Sequence, residues 1–222
     1  MPRTSRTVVA GVPHHVTQRG NRREDVFFTD QGRALYLKWL KEYCDKWQVD
    51  VFAYCLMTNH VHLILRPETE DGLHRVLKPL HMRYAQYVNR INGWNGHIWQ
   101  GRYFSAPLDE AYTYSAIRYV ERNPVRANLV IKAEDYTWSS ASFRVGQRKS
   151  SLLVPISALG VAVTSTHWRE WLSIPNSEAT LKIIRQTVQK GLPCGNDNFI
   201  SAIESKVGRK LRICPPGRPK KG

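Results

Sequence analysis

The stretch VDVFAYCLMTNHVHLIL, residues 49–65, decides the fold. Its first part, Val49 to Met57, is strongly apolar and rich in β-branched and aromatic residues, which is typical of a buried strand. Thr58 and Asn59 interrupt the apolar run, and His60 to Leu65 resumes it. Two strands separated by so short a break are expected to pair as an antiparallel hairpin.

The flanking sequence extends this hairpin into a larger unit. Upstream, loose alternation from Gly11 to Gly20 predicts a strand, and helical spacing of apolar residues predicts a helix from Asp30, its expected N-cap, to about Gln48. Downstream, the patterns predict a helix, a strand and a helix at Gly72 to Ile91, Ile98 to Pro107 and Glu110 to Asn123. This order is the split βαβ arrangement of an α+β, ferredoxin-like antiparallel sheet, with the strand from His60 in a central position.

The chain is expected to divide into two parts. A compact domain over residues 1–145 ends at a polar, basic stretch, Gly146 to Ser151. Residues 146–222 form a small, mostly helical extension, with helical patterns at Trp168 to Leu172, Glu178 to Gln189 and Asn198 to Val207. From Lys206 to Gly222 there are seven Lys or Arg and no acid, which is typical of a flexible basic tail.

Composition restricts the class of partner. Lys and Arg number 33 against 18 Asp and Glu, giving a formal net charge of +15, which favours a polyanion. No apolar run approaches the roughly 20 residues of a membrane span, so we expect a soluble, cytoplasmic protein that is not secreted. The scattered cysteines Cys44, Cys55, Cys194 and Cys214 form no CxxC pair, which fits a reducing compartment without a cysteine-based zinc site.

The sharpest local motif is His60-Val61-His62. On a strand, both imidazoles project to one face, and two convergent nitrogen donors suit a metal ion. The other face, with Val61, Leu63 and Leu65, suits burial. The competing interpretation is a pair of ordinary core or half-exposed histidines, because short histidine spacings also arise by chance in a chain with eight histidines.

A second motif, Tyr119-Val-Glu-Arg-Asn-Pro-Val125, lies at the end of the last helix of the predicted domain. Residues 119 and 123 are four apart, so a continuing helix places the phenol and the amide on one face. Alternatively, Tyr119 packs with Tyr112 and Ala116 in an apolar stripe while Asn123 only ends the helix. Pro124 disfavours helical geometry at Asn123, which predicts a distorted last turn.

Four segments together resemble the HUH single-tyrosine transposases, and most closely their REP-associated branch in bacterial chromosomes. They are GVPHHVTQRGNRR (residues 11–23), YCLMTNHVHLI (54–64), GHIWQGRYF (96–104) and YVERNPV (119–125). The resemblance covers roughly residues 8–145. It implies a ferredoxin-like fold with the HUH pair on a central strand and the tyrosine nucleophile on a following helix.

The resemblance also implies roles for individual residues. His60 and His62 match the metal ligands, Tyr119 the nucleophile, and Asn123 the third ligand, where insertion-sequence members often have Gln. Tyr112 and Tyr114 stand on the same helix but do not fit the motif. The implied enzyme nicks and rejoins single-stranded DNA, for transposition or repeat mobilisation, through a 5′-phosphotyrosine intermediate.

The chemistry calls for a divalent cofactor. A free phenol has a pKa near 10 and is a poor nucleophile at neutral pH, so a metal ion at His60, His62 and Asn123 would help by polarising the scissile phosphate. Imidazole and amide donors, together with the resemblance, favour Mg²⁺ or Mn²⁺. The competing interpretation of the histidines is a zinc hydrolase with Asp109 or Glu110 as third ligand.

Basic and aromatic residues predict DNA contacts. Residues 1–23 carry five arginines and no acid, and the C-terminal tail has the same bias; the alternative is a solvated, solubilising surface. Trp94, Trp99, Tyr103 and Phe104 are candidates for base stacking, although some are expected in the core. The segment Gly217 to Lys220 resembles an AT-hook core. The candidate DNA-binding residues are Arg3, Arg6, Arg19, Arg22, Arg23, Arg102, Arg218 and Lys220.

The resemblance implies single-stranded DNA as partner, commonly beside or within hairpins of palindromic repeats, and leaves open whether the protein acts as a monomer or a homodimer. It also implies a nucleoid-associated bacterial protein. The alternative function is a non-catalytic repeat-DNA-binding or regulatory protein that retains a relic HUH site. The two hypotheses differ in whether Tyr119 becomes covalently attached to DNA.

Overall fold

The computed structural model describes residues 6–160 and 163–212, which form a four-stranded antiparallel sheet with helices on both faces. The strands are β1 (His14–Arg19), β2 (Val49–Leu56), β3 (His60–Pro67) and β4 (Phe104–Pro107). Their order across the sheet is β2-β3-β1-β4, so β3 and β1 are the central pair. The predicted ferredoxin-like α+β fold is confirmed, with the His60 strand in the centre.

One face of the sheet packs on two long helices, α1 (Asp30–Trp47) and α2 (Gly72–Asn92). Val61, Leu63 and Leu65 lie on this face and are fully buried, as predicted. The N-cap of α1 is Thr29, whose hydroxyl accepts a hydrogen bond from the N–H of Gly32. Asp30, the predicted cap, is therefore the first helical residue, where its negative charge interacts favourably with the helix dipole.

The opposite face is covered by α3 (Glu110–Glu121). This helix ends earlier than the predicted Asn123, because Arg122 leaves helical geometry (φ −88°, ψ 1°). Asn123 instead begins a separate single turn, α4 (Asn123–Arg126). The proline ring at position 124 cannot continue α3, since it lacks an N–H and would clash with the carbonyl one turn earlier.

The predicted strand from Ile98 to Pro107 is shorter in the structure, where only residues 104–107 form β4. Trp99 and Tyr103 instead turn their side chains into the core beside α1 and α2. The indole N–H of Trp99 donates to the carbonyl of His81, and the amide of Gln18 donates to the carbonyl of Gly101. Trp99 still forms an isolated antiparallel bridge with Gly20, and the N–H of Gln100 donates to the carbonyl of Arg19. Residues 101–103 therefore interrupt the strand between this bridge and β4.

The C-terminal part is mainly helical, as predicted. The short helix α5 (Ala141–Arg144) precedes this part, whose helices are α6 (Ser165–Ser173), α7 (Glu178–Lys190) and α8 (Asp197–Val207). Residues of α6 and α7 share one apolar cluster with α3 and the sheet, so the predicted boundary near residue 145 lies within a common core. None of the described helices is long and apolar enough to cross a membrane.

Short segments from the C-terminal half bridge both outer strands. Along β2, the N–H of Leu56 donates to the carbonyl of Trp138 and the N–H of Val154 donates to that of Val51. Beyond β4, the N–H of Cys194 donates to the carbonyl of Pro107. The backbone groups of both outer strands are thus partly satisfied by chain segments that follow the sheet in sequence.

Candidate active site

The sheet and α3 bring the two HUH histidines and the candidate nucleophile together. On β3, His60 and His62 lie on the same face, with ring centroids 5.0 Å apart. The side chain of Tyr119, on α3, packs against this face, with its ring centroid 5.6 Å from that of His62. With Asn123, these residues line one cavity of about 260 Å³. The structure therefore gathers all four predicted site residues.

The hydrogen bonds of His60 define its tautomer. Its Nδ1 lies 2.6 Å from the side-chain oxygen of Asn59, while the amide nitrogen of Asn59 donates to the carbonyl of Arg23. Because the Asn59 oxygen can only accept, the Nδ1–H of His60 donates. The Nε2 of His60 therefore keeps its lone pair for a ligand.

His62 is held by a third histidine that the sequence analysis missed. The Nε2 of His15, on β1, lies 2.9 Å from the Nδ1 of His62, and the two rings stack with centroids 5.1 Å apart. His15 is 1% exposed, and its Nδ1 has no hydrogen-bond partner within the described ranges. His15 also contacts the edge of Tyr119. His15 thus fixes the orientation of the His62 ring.

Both HUH histidines are neutral at physiological pH. Burial, helped by the positive charge of Arg19, lowers the pKa of His60 to about 4. Burial also lowers the pKa of His62 well below its usual value, with smaller contributions from the neighbouring His60 and His15. Neutral imidazole is the form that donates a lone pair to a metal ion.

Asn123 is held at the end of α3. Its amide nitrogen donates to the carbonyl of Tyr119 at 3.2 Å, and its side-chain oxygen accepts from Arg126 at 2.8 Å. The Arg126 guanidinium also lies 4.2 Å over the Tyr119 ring. Arg126 therefore fixes both the amide and the phenol, a role that the sequence analysis did not assign.

The donors present fit a divalent ion. His60 offers an Nε2 lone pair, and His62 offers one in the tautomer whose Nδ1–H donates to His15. The Asn123 oxygen has a second lone pair besides the one that Arg126 uses. Among the described residues, no group of three His, Cys, Asp or Glu side chains is arranged to hold a metal, so a third protein donor here is an amide. Two neutral imidazoles and an amide oxygen can together hold a divalent ion, with water completing its ligand shell.

The residues of the zinc alternative are not brought to this cavity. The Asp109 carboxylate caps α3 through the N–H of Tyr112 and accepts from the N–H of Asn196. Glu110 is exposed in the first turn of α3, at the end opposite Tyr119. Tyr112 and Tyr114 pack partly buried between α3 and the C-terminal part.

Two arginines hold the C-terminal end of α3, which carries Tyr119, against α6. Arg118 donates to the carbonyl of Trp171 at 2.8 Å and also to that of Ile174, and Arg122 donates to that of Leu172, all near the end of α6. Cations at a helix C-terminus are favoured by the helix dipole. These bonds position α3 against the sheet.

The candidate DNA-binding arginines have different surroundings. Arg19, Arg22, Arg23 and Arg102 are exposed, and Arg19 also lines the cavity. Arg6 is tethered, with its guanidinium 3.8 Å over the Tyr103 ring and its Nε donating to the Tyr103 carbonyl. Arg3, Arg218 and Lys220 lie outside the described residues, as does the AT-hook-like segment.

The candidate stacking aromatics separate into two pairs. Trp99 and Tyr103 are buried in the core, whereas Trp94 and Phe104 are 49% and 48% exposed. Phe104 lines the cavity with the histidines. Only the second pair is available to stack on bases.

Comparison with known proteins places this site in a family. A sequence model of IS200-like transposases matches residues 8–123, which include all four site residues. One similar solved structure is a REP-associated tyrosine transposase bound to a REP hairpin, with a TM-score of 0.50 and 17% identity over 70% of this chain and 99% of that one. Another is a candidate transposase from Deinococcus radiodurans R1, with a TM-score of 0.38 and 18% identity over 55% of this chain and 97% of that one.

No curated protein sequence matches the chain significantly. The family match spans more than half of the chain and includes β1, β3 and α3, while the cavity-lining residues of α7 lie outside it. The chain belongs to the family of IS200-like transposases.

Proposed function

We propose that the protein nicks and rejoins single-stranded DNA, with Tyr119 as nucleophile and His60, His62 and Asn123 as ligands of a divalent ion. The observation that carries the proposal is the cavity itself, which brings together two neutral histidines and a phenol whose ring contacts that of His62. A divalent ion bound there would neutralise charge on the scissile phosphate.

The proposed reaction is a transesterification at Tyr119. Its Oη attacks phosphorus, the bond from phosphorus to the 3′-oxygen breaks, and the phenol proton is balanced by the proton on the released 3′-hydroxyl. The 5′-phosphotyrosine conserves the energy of the cleaved ester, so a second 3′-hydroxyl can reverse the step and join strands. Arg126, 4.2 Å over the ring, restricts the orientation of the phenol and so favours in-line attack.

The proposed substrate is DNA that forms hairpins from palindromic repeats. Family membership supports DNA transposition chemistry, and the similar solved structure holds a REP hairpin. The exposed arginines around the cavity supply phosphate affinity without sequence choice. Because one chain contributes both Tyr119 and the histidines, we propose that a monomer carries a complete site.

A second candidate function is repeat-DNA binding without catalysis. Two observations favour it. The side chain of Tyr119 is only 6% exposed, and the side-chain oxygen of Asn123 already accepts a hydrogen bond from Arg126. In this case the same surface binds hairpins, but Tyr119 never reaches a phosphate.

Labelled hairpin oligonucleotides distinguish the two functions. We expect a band joining protein to the 5′ end of the 3′-side fragment on denaturing gels with Mg²⁺ or Mn²⁺, and none with EDTA. Tyr119→Phe is expected to lose the band and keep hairpin binding, while Tyr112→Phe, on the same helix, keeps both. An adduct that persists in Tyr119→Phe contradicts the nucleophile assignment, and binding without any adduct in the wild type supports the second function.

A further inference from the structure

A second recess adjoins the active-site cavity. It has a volume of about 570 Å³ and lies between residues 100–105 at the β4 edge and the ends of α7 and α8. The two spaces share the lining residues Gln18, Arg19, Gln100, Phe104 and Gln189. A chain-like ligand can therefore pass from one into the other without leaving the protein surface.

The recess is strongly cationic. No Asp or Glu lines it. Its basic lining residues are Arg6, Arg19, Arg102, Lys190, Arg209 and Lys210. Neither Lys190 nor Lys210 forms a salt bridge with a carboxylate in the part of the chain that the structure describes. So many like charges around one space are repulsive unless an anion enters.

Described residues from the two basic segments of the chain meet at this recess. Arg209, just after α8, donates to the hydroxyl of Thr7 at 2.6 Å, next to Arg6. Arg6 and residues 209–211, described residues of these basic segments that line the recess, thus lie on one surface.

Neutral and aromatic groups define the kind of anion. Phe104, 48% exposed, stands at the junction of the two spaces, where its face can stack on an unpaired base. The Oγ of Ser105, another lining residue, is buried and has no partner among the described residues. Amides of Gln100 and Gln189 add hydrogen-bonding groups. A cationic channel with an aromatic platform is the arrangement that binds single strands.

We propose that this recess binds the unpaired strand that continues from the scissile phosphate, and that the C-terminal helices supply half of it through Lys190 and Lys210. The proposal rests on the proposed function, since it places the scissile phosphate in the neighbouring cavity. Lys190 and Lys210 lie outside residues 8–123, which the family model matches.

The test compares two double variants of the full chain with the same loss of charge. Lys190→Gln with Lys210→Gln removes recess lysines, and Lys132→Gln with Lys182→Gln removes exposed lysines that do not line it. The probes are one hairpin with blunt ends and the same hairpin with about eight unpaired nucleotides on each side. Fluorescence anisotropy is measured over a range of salt concentrations.

We expect the recess variant to bind the flanked hairpin about tenfold more weakly and to lower the salt slope by about 1.4, from two lost single-strand phosphate contacts. Its affinity for the blunt hairpin should be unchanged, and the control variant should match the wild type on both probes. Equal losses on both probes, or none on the flanked probe, would overturn the proposal.

The adduct assay keeps this outcome separate from that of the proposed function. The flank-dependent loss should persist in a Tyr119→Phe background, because binding in the recess needs no chemistry. If adducts form but flank affinity does not depend on Lys190 and Lys210, the recess proposal fails alone. If flank affinity depends on them but no adduct forms, the enzyme assignment fails and the recess stands.

Discussion

At the scale of single residues, the hydrogen bond between His15 and His62 sets which atom of His62 faces the cavity. A ligand at the Nε2 of His62 requires the proton on its Nδ1, which then donates to the Nε2 of His15 at 2.9 Å. His15 must in turn carry its own proton on Nδ1, a buried atom without a partner among the described residues. The ligand-ready tautomer therefore leaves one buried donor unsatisfied, at about 1–3 kcal/mol.

Substitutions of His15 test this positioning role. His15→Leu removes the acceptor, and we expect Mn²⁺ affinity to fall about tenfold to a hundredfold, as for other partners of metal-binding histidines. His15→Gln keeps an acceptor oxygen and should recover part of the loss. Electron paramagnetic resonance of Mn²⁺ in the absence of DNA measures this directly. Wild-type affinity in His15→Leu would show that His15 only fills space.

His14 makes the stability of the fold dependent on pH. Its Nδ1–H donates to the carbonyl of Val12, and its Nε2 accepts from the N–H of Val9, so a second proton would face another donor. Burial lowers the pKa of His14 to about 4. Because the unfolded chain takes up this proton near pH 6.5, the stability is complete above pH 6.5 and is lost as the pH falls towards 4, by about 1.4 kcal/mol per pH unit.

Urea unfolding between pH 7 and pH 4.5 measures this slope. His14→Gln is expected to reduce the slope by about one proton, whereas His74→Gln, at an exposed position, should leave it unchanged. An identical slope in His14→Gln and wild type would contradict the assignment.

At the scale of secondary-structure elements, α3 serves two purposes through two faces. One face presents Tyr119 to the sheet, and the other binds the C-terminal part through Glu121. This carboxylate is fully buried and accepts from Trp168 at 2.7 Å, Ser140 at 2.7 Å and Arg144 at 3.2 Å. A buried charge is tolerable only with such a complete set of partners.

Removal of that charge should destabilise the protein. Glu121→Gln leaves the Arg144 guanidinium, whose side chain is 4% exposed, without its counterion, and we expect a loss of about 3 kcal/mol. This corresponds to a fall in Tm of roughly 10 °C for a chain of this size. Glu70→Gln, at an exposed position, should change Tm little. A Tm within 1–2 °C of wild type, on the order of a surface substitution, would refute the role of Glu121.

The element order could be predicted because periodicity and turn residues are local properties. The hairpin at residues 49–65 and its HUH pair follow from the sequence alone, and so does the strong pattern of α2. Three features depend on tertiary contacts and could not be read in this way. Residues 101–103 interrupt the predicted strand, and the side chain of Trp99 turns to a partner in α2. His15 meets His62 through the pairing of β1 with β3, and Arg126 reaches Tyr119 through the break after α3.

At the scale of the whole molecule, the C-terminal part completes the core around α3. Trp168, Leu172, Leu181 and Ile184 are at most 3% exposed and pack in one cluster with Tyr119 and Ile64. Burial of a large apolar side chain contributes about 1.5–3 kcal/mol, so these four side chains contribute roughly 6–12 kcal/mol. That is comparable with the whole stability of a typical domain, about 5–15 kcal/mol.

The fragment 1–145 is therefore expected not to fold cooperatively. It should lack the near-ultraviolet circular dichroism of packed aromatics and a sigmoidal urea transition, and it should bind Mn²⁺ more weakly than the full chain. A soluble fragment with a cooperative transition would instead support residues 1–145 as an independent domain.

The bridges on β2 and β4 have a consequence for synthesis on the ribosome. The sheet is complete at Pro107, but the segment that bridges its β4 side includes Cys194, 194 − 107 = 87 residues later. At a synthesis rate of about 5–20 residues per second, the β4 side of the nascent sheet lacks this bridging segment for roughly 4–17 s. During that interval it is a template for pairing with a neighbouring nascent chain, so slow translation should favour aggregation and dependence on chaperones.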